Sequence, residues 1–178
     1  AGKDGEIHQV RTQLIGEYNF PNALAAITIG RFFGVEAKLI DEALAEYTPQ
    51  NNRSQLKKTE NNTLIIDAYN ANPTSMMAAL QNFRNMTVPH KMLLLGDMRE
   101  LGAESAAEHQ KIVDYIKENS FEKVWLVGEQ FAAAQHSFKT YANVQEVIKE
   151  LETNKPKGYT ILIKGSNGIK LSSTVEHL

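Results

Sequence analysis

The chain contains no cysteine, which excludes disulfides and cysteine-ligated zinc and fits a reducing, cytoplasmic setting. It contains no apolar run near the roughly 20 residues a membrane-spanning helix needs. Neither charge sign dominates. A formal net charge of −2 leaves no electrostatic footprint for nucleic acid or an anionic membrane surface. Ala1 to Glu6 lack the apolar core of a signal peptide and read as the middle of a longer protein. His8, His90, His136 and His177 are scattered without metal-ligand spacing, so no metal-binding residue is assigned. No serine–histidine–acid order stands out. No segment matches Gly-x-x-x-x-Gly-Lys-Ser/Thr or Gly-x-Gly-x-x-Gly, so neither phosphate cradle is recognisable.

What is present is an ordinary globular composition, 42% hydrophobic and 22% charged over 178 residues. That length allows one domain plus a piece of another. In the first 47 residues, alternation of His8, Val10, Thr12 and Leu14 against Gln9, Arg11 and Gln13 predicts a strand over 7–15. Helices are predicted over 22–33, stopped by Gly34, and over 36–47. Thr48-Pro49-Gln50-Asn51-Asn52 is polar and proline-interrupted, a candidate boundary between regions 1–48 and 49–178.

Beyond it, strand and helix patterns alternate. Strands are predicted over 55–60 (an edge), 63–66, 91–95, 123–127, 138–141 and 159–163. Helices are predicted over 74–86, from Ser105 to about Asn119, over 131–135, from Asn143 through Leu151, and at the end of the chain. Ser105 with Glu108, and Asn143 with Glu146, have capping-box spacing. Connections of this length imply crossovers. The expected fold is α/β, a Rossmann-like, mostly parallel sheet flanked by helices.

Chemistry concentrates where strands end. Thr63-Leu64-Ile65-Ile66 empties into Asp67-Ala68-Tyr69-Asn70-Ala71-Asn72-Pro73, with Asn72 suited to cap the next helix and Pro73 to its first position. Asp67 either accepts hydrogen bonds from ribose hydroxyls or a metal-bound nucleotide, or serves only a turn; the residues alone leave both open. Lys164-Gly165-Ser166 follows the last strand. It offers a cation, a close approach and a hydroxyl for phosphate or carboxylate, but such triplets also begin ordinary turns. Gly96-Asp97-Met98 follows a third strand, and all three ends would lie along one sheet edge. Arg53 could grip phosphate or stack on a base, although a solvated arginine is the commoner case. His109, early in its helix, reads as a packing or hydrogen-bonding residue.

Taken together these segments resemble the Mur ligases of peptidoglycan synthesis. Asp67 to Pro73 with Ser75-Met76 resembles the strand-end motif of the member that adds a D-alanyl-D-alanine dipeptide. Leu95-Gly96-Asp97-Met98-Arg99-Glu100-Leu101-Gly102 with Ser105 and His109, and Lys164-Gly165-Ser166, are similar to later motifs. Gly16 to Ala26 resembles the end of the family's central ATPase domain. The resemblance spans nearly the whole chain.

The resemblance implies that residues 1–48 are the tail of a central ATP-binding domain and 49–178 the C-terminal Rossmann-like domain. It implies ATP-dependent amide formation between UDP-N-acetylmuramoyl-tripeptide and D-alanyl-D-alanine through an acyl phosphate. Mg2+ ligands would lie mainly in the central domain, and a cytoplasmic monomer is expected. By position, Asn19 would contact adenine, Arg53 the nucleotide phosphates and Asp67 the ribose. Tyr69, Asn70 and Asn72 would face the substrates, with Lys164 and Ser166 in catalytic positions. Two positions depart from the family pattern: Tyr18 stands where histidine is usual, still able to stack on adenine, and Asn167 where arginine is frequent. The segment by itself is expected to be inactive. A free-standing nucleotide-binding or regulatory module of the same fold is the alternative. A related ligase acting on another amino acid or a folate is disfavoured by Tyr69-Asn70-Ala71-Asn72.

Overall fold

Residues 7–16, 19–50 and 52–178 are described by a computed structural model. Tyr18, Glu17, Asn51 and the first six residues lie outside them, and the stacking role expected of Tyr18 with them. The chain divides into two compact units, residues 1–49 and 50–178.

In the first unit, helix α1 (Phe20–Phe32) packs on α2 (Ala37–Glu46). Gly34 takes φ +77° after α1, and its N–H closes the last turn on the Arg31 carbonyl. The segment 7–16 is not a strand. The alternation holds from Gln9 to Leu14, where Val10, Thr12 and Leu14 are half-buried while Gln9, Arg11 and Gln13 are exposed, but His8 is exposed too. Yet a strand is defined by its ladder, and no partner strand lies beside this segment among the described residues. Side chains hold it instead. His8 Nδ1 lies 2.7 Å from Asp41, and Gln13 donates to the Ala45 carbonyl at 3.1 Å.

The second unit is built on a six-stranded sheet. Its strands are β1 (Gln55–Lys58), β2 (Thr63–Asp67), β3 (Lys91–Gly96), β4 (Lys123–Val127), β5 (Lys139–Tyr141) and β6 (Thr160–Lys164), in the order β1-β2-β6-β3-β4-β5. Only β1 is antiparallel. Strands β2, β3, β4 and β6 are nearly continuous apolar runs, the pattern of strands covered on both faces. The edge strand β1 carries Lys57 and Lys58, which discourage pairing with another chain.

Helices cover both faces. Val144, Val147 and Leu151 of α6 (Val144–Thr153), with Leu171 and Val175 of a 3₁₀ stretch (Leu171–His177), pack against Leu64, Ile66, Met92, Leu94, Ile161 and Ile163. The strand residues of opposite parity face α3 (Pro73–Asn85), α4 (Ser105–Glu118) and α5 (Glu129–Ala133), which contact one another in series. The connection after β6 therefore leaves on the opposite face from those after β2 and β3. In an open α/β sheet such a reversal opens a crevice at the carboxyl ends of the strands.

Three local expectations are corrected. A 3₁₀ turn over Gly102–Glu104 leads directly into α4, so Ser105 is already helical and forms no capping box with Glu108. Its hydroxyl donates to Gln130 instead. Asn143 does cap α6, but Glu146 reaches back to the N–H of Ala142 rather than to that of the cap residue. The final helix is of the tighter 3₁₀ form.

Candidate functional site

Parallel register brings three strand ends level. Asp67 of β2 and Leu95 of β3 both pair with Lys164 of β6. The close fit depends on glycine: a Cβ on Gly165 would lie 2.9 Å from the Gly96 Cα, so the two loops touch backbone to backbone.

Lys164 is the centre of the cluster. Its side chain is only 2% exposed, and Nζ donates to Asp67 Oδ2 at 2.6 Å and to the Asn70 carbonyl at 3.3 Å. A lysine this buried requires such a partner. Asp67 accepts a second, longer bond of 3.4 Å from the Ser54 N–H. The carboxylate is thus fixed in orientation while its side chain keeps 16% exposure at the rim. Residues 97 apart in sequence form this pair.

Ser166 joins the loops. Its Oγ accepts from the Arg99 N–H at 2.9 Å and donates weakly to the Ala71 carbonyl at 3.5 Å, and its N–H donates to the Asp97 carbonyl at 3.2 Å. The residue is buried. Asn72 caps α3: its side chain accepts from the Ser75 N–H at 2.8 Å, and Ser75 Oγ accepts from the Asn72 N–H at 3.2 Å. Arg53 lies over the Tyr69 ring, with its guanidinium carbon 3.9 Å from the centroid. Tyr69 and Asn70 are exposed at the rim.

The structure therefore gathers Arg53, Asp67, Tyr69, Asn70, Asn72, Lys164 and Ser166 at one sheet edge. It separates them into buried members, Lys164 and Ser166, and exposed members, Arg53, Tyr69, Asn70 and Asn72. Asn19 belongs to the first unit. There it is buried, donating to the Ile15 carbonyl at 2.8 Å and accepting from Asn22 at 3.0 Å. That unit also holds a cleft of about 1030 Å³, lined by Val10, Leu14, Leu24, Ile27, Ile40 and Leu44 among others.

Sequence reasoning grouped Asp97 with the rim but missed its task. Its carboxylate accepts from the N–H groups of Gln130 and Phe131 at 3.0 and 2.9 Å, tying the β3 loop to the start of α5. His109 is fully buried against the Phe131 ring. Nδ1–H donates to the Ser105 carbonyl at 2.7 Å, and Nε2 accepts from the Met98 N–H at 3.0 Å, which defines a neutral imidazole.

Residues 52–167 match the family described as "Mur ligase, glutamate ligase domain". The UDP-N-acetylmuramoyl-tripeptide–D-alanyl-D-alanine ligase of Bacillus subtilis is 34% identical over 93% of this chain, and that of Escherichia coli 33% identical over 93%. The chain spans 38% of the length of each. Among solved structures, the UDP-N-acetylmuramoylalanyl-D-glutamyl-2,6-diaminopimelate–D-alanyl-D-alanyl ligase of Acinetobacter baumannii superposes with a TM-score of 0.80 at 27% identity. The match covers 95% of this chain and 39% of that one.

Proposed function

Since the chain belongs to the Mur ligase family, we propose that it is the C-terminal part of an ATP-dependent amide ligase that joins D-alanyl-D-alanine to UDP-N-acetylmuramoyl-tripeptide. The observation that carries this reading is the Asp67–Lys164 pair at the crevice, with Arg53 and Tyr69 beside it. An ionised carboxylate held by a buried lysine and a backbone N–H suits ribose hydroxyls, which are donors. Lys164 acts through Asp67 and is a positioning residue. Arg53 reaches nucleotide phosphates from its seat on Tyr69. Asn19 meets adenine. Tyr69 and Asn70 face the incoming dipeptide, while Asn72 and Ser166 set the loops that present them.

In the reaction, the tripeptide's terminal carboxylate takes the γ-phosphoryl group of ATP, releasing ADP. The dipeptide amine then attacks the acyl carbon. A C–N bond forms, the C–O bond to phosphate breaks, and the amine loses a proton. Phosphorylation converts a poor leaving group into a good one, and positioning with charge neutralisation supplies most of the rate. Among the described residues no group of three His, Cys, Asp or Glu could hold a metal ion, so no step is assigned to Mg2+ on this chain. Its ligands, and the phosphate cradle, belong to the central domain in this reading. In this reading the enzyme acts as a cytoplasmic monomer, as the family resemblance implies.

A free-standing module is disfavoured by the first unit. Helix α1 buries none of its residues, and Phe20, Phe32 and Phe33 are at least 70% exposed, as faces awaiting a further domain would be. The test is phosphate release by the intact enzyme, this chain joined to the sequence that precedes it in its gene. Release should require both UDP-tripeptide and D-alanyl-D-alanine, fall at least about 100-fold in Asp67→Ala, and be absent from residues 1–178 alone. Undiminished dipeptide-dependent release in Asp67→Ala would overturn the assignment of Asp67.

A further inference from the structure

We propose that Arg99 is an oxyanion-binding residue of the ligation site, gripping a carboxylate or phosphoryl group on the β3 side of β6. The inference rests on the ligase reading and adds a residue that reading does not contain. The carboxyl edge of the sheet has two sides here. Asp67 and Lys164 occupy the β2 side, and Ser166, Gly168 and Arg99 the β3 side.

Consecutive backbone groups hold the Arg99 loop. The Asp97 N–H donates to the Val127 carbonyl at 2.9 Å, the Met98 N–H to His109 at 3.0 Å and the Arg99 N–H to Ser166 Oγ at 2.9 Å. The next residue, Glu100, takes φ +68°, a left-handed conformation uncommon outside glycine, and so turns the chain sharply after Arg99. The guanidinium lies against Gly168 in the loop that follows Ser166. A Cβ on Gly168 would meet Nη1 at 2.6 Å, Cζ at 2.9 Å and Nε at 3.2 Å.

The other cations of the cluster have partners: Lys164 on Asp67, Arg53 on the Tyr69 ring. Arg99 is exposed, and among the described residues its guanidinium pairs with no carboxylate. A planar guanidinium on a rigid mount presents a fork of donors suited to two oxygens at once. Both reactants bring such a group: the dipeptide its C-terminal carboxylate, the activated tripeptide its phosphoryl oxygens.

The test uses the intact enzyme with Arg99→Met, Arg99→Lys and Gly168→Ala. Arg99 is at the surface, and a methyl on Gly168 meets only the movable end of Arg99, so all three should fold with unchanged melting temperature. Arg99→Met should lower kcat/KM by about 10- to 100-fold, the range for losing a charge-assisted pair of hydrogen bonds. Arg99→Lys should recover part of it, and Gly168→Ala should reproduce the loss with the charge intact. Repeating the assay with D-alanyl-D-alaninamide separates the two anions. If Arg99 holds the dipeptide carboxylate, wild type and Arg99→Met converge on the amide. If it holds the phosphoryl group, the loss is the same with both acceptors. Activity of Arg99→Met within twofold of an active wild type with D-alanyl-D-alanine as acceptor overturns this inference alone. A wild type without dipeptide-dependent phosphate release overturns the ligase reading and this inference with it.

Discussion

The two units handle apolar surface in opposite ways. In residues 50–178 the strands are so enclosed that Leu64, Met92, Leu93, Leu94, Ile161 and Ile163 have no exposed surface. In residues 1–49 only Ile40 and Pro49 among the apolar side chains described are buried, although α1 is apolar on nearly every side. A sheet with helices on both faces closes its own core; two short helices do not. Substitutions should therefore be costly in one unit and nearly free in the other.

The largest effect is expected at Lys164. Lys164→Met leaves the mostly buried Asp67 carboxylate without its cation and should destabilise residues 50–178 by about 3–5 kcal/mol in urea titration, the usual cost of breaking a buried pair from one side. A loss below 1 kcal/mol would mean the pair is solvated. Asn62 comes next. It is buried, donates to the carbonyls of Pro156 and Leu178 and accepts from the Tyr159 N–H. Asn62→Ala should cost about 1–3 kcal/mol by the same measurement, since two buried backbone groups and one part-buried one lose a partner. Asn72→Ala removes the cap of α3 and should cost about 1 kcal/mol. At the other extreme, Phe32→Ser with Phe33→Ser in residues 1–178 alone should change the unfolding free energy by less than about 0.5 kcal/mol while reducing self-association in light scattering. A large destabilisation from that double substitution would erase the contrast between the units.

How much could be read in advance follows the same division. The strands of the second unit were legible because a run such as Lys91 to Leu95 is too short and too apolar for anything but a covered strand. Asn72 and Asn143 were legible as caps because their chemistry is local. The segment 7–15 was misread because alternation specifies two faces but not a neighbouring strand. The 3₁₀ turns at 102–104 and 171–177 were missed because three- and four-residue spacings look alike over so few residues. The strand-end motifs located the site edge. That Lys164 is enclosed by Asp67, rather than open to substrate, depends on the β2–β6 register, and no local pattern encodes it.

Ligands should meet this protein at the carboxyl edge of its sheet, around Asp67, Lys164 and Arg99. The direct measurement is amide hydrogen exchange on the intact enzyme, with and without a non-hydrolysable ATP analogue, UDP-tripeptide and D-alanyl-D-alanine together. Exchange should slow in the loops at 68–72, 97–101 and 165–169 and stay unchanged at 59–62, 86–90 and 154–159, the opposite edge of the same sheet. Slowing confined to that opposite edge, or no slowing in the three loops, would contradict the account.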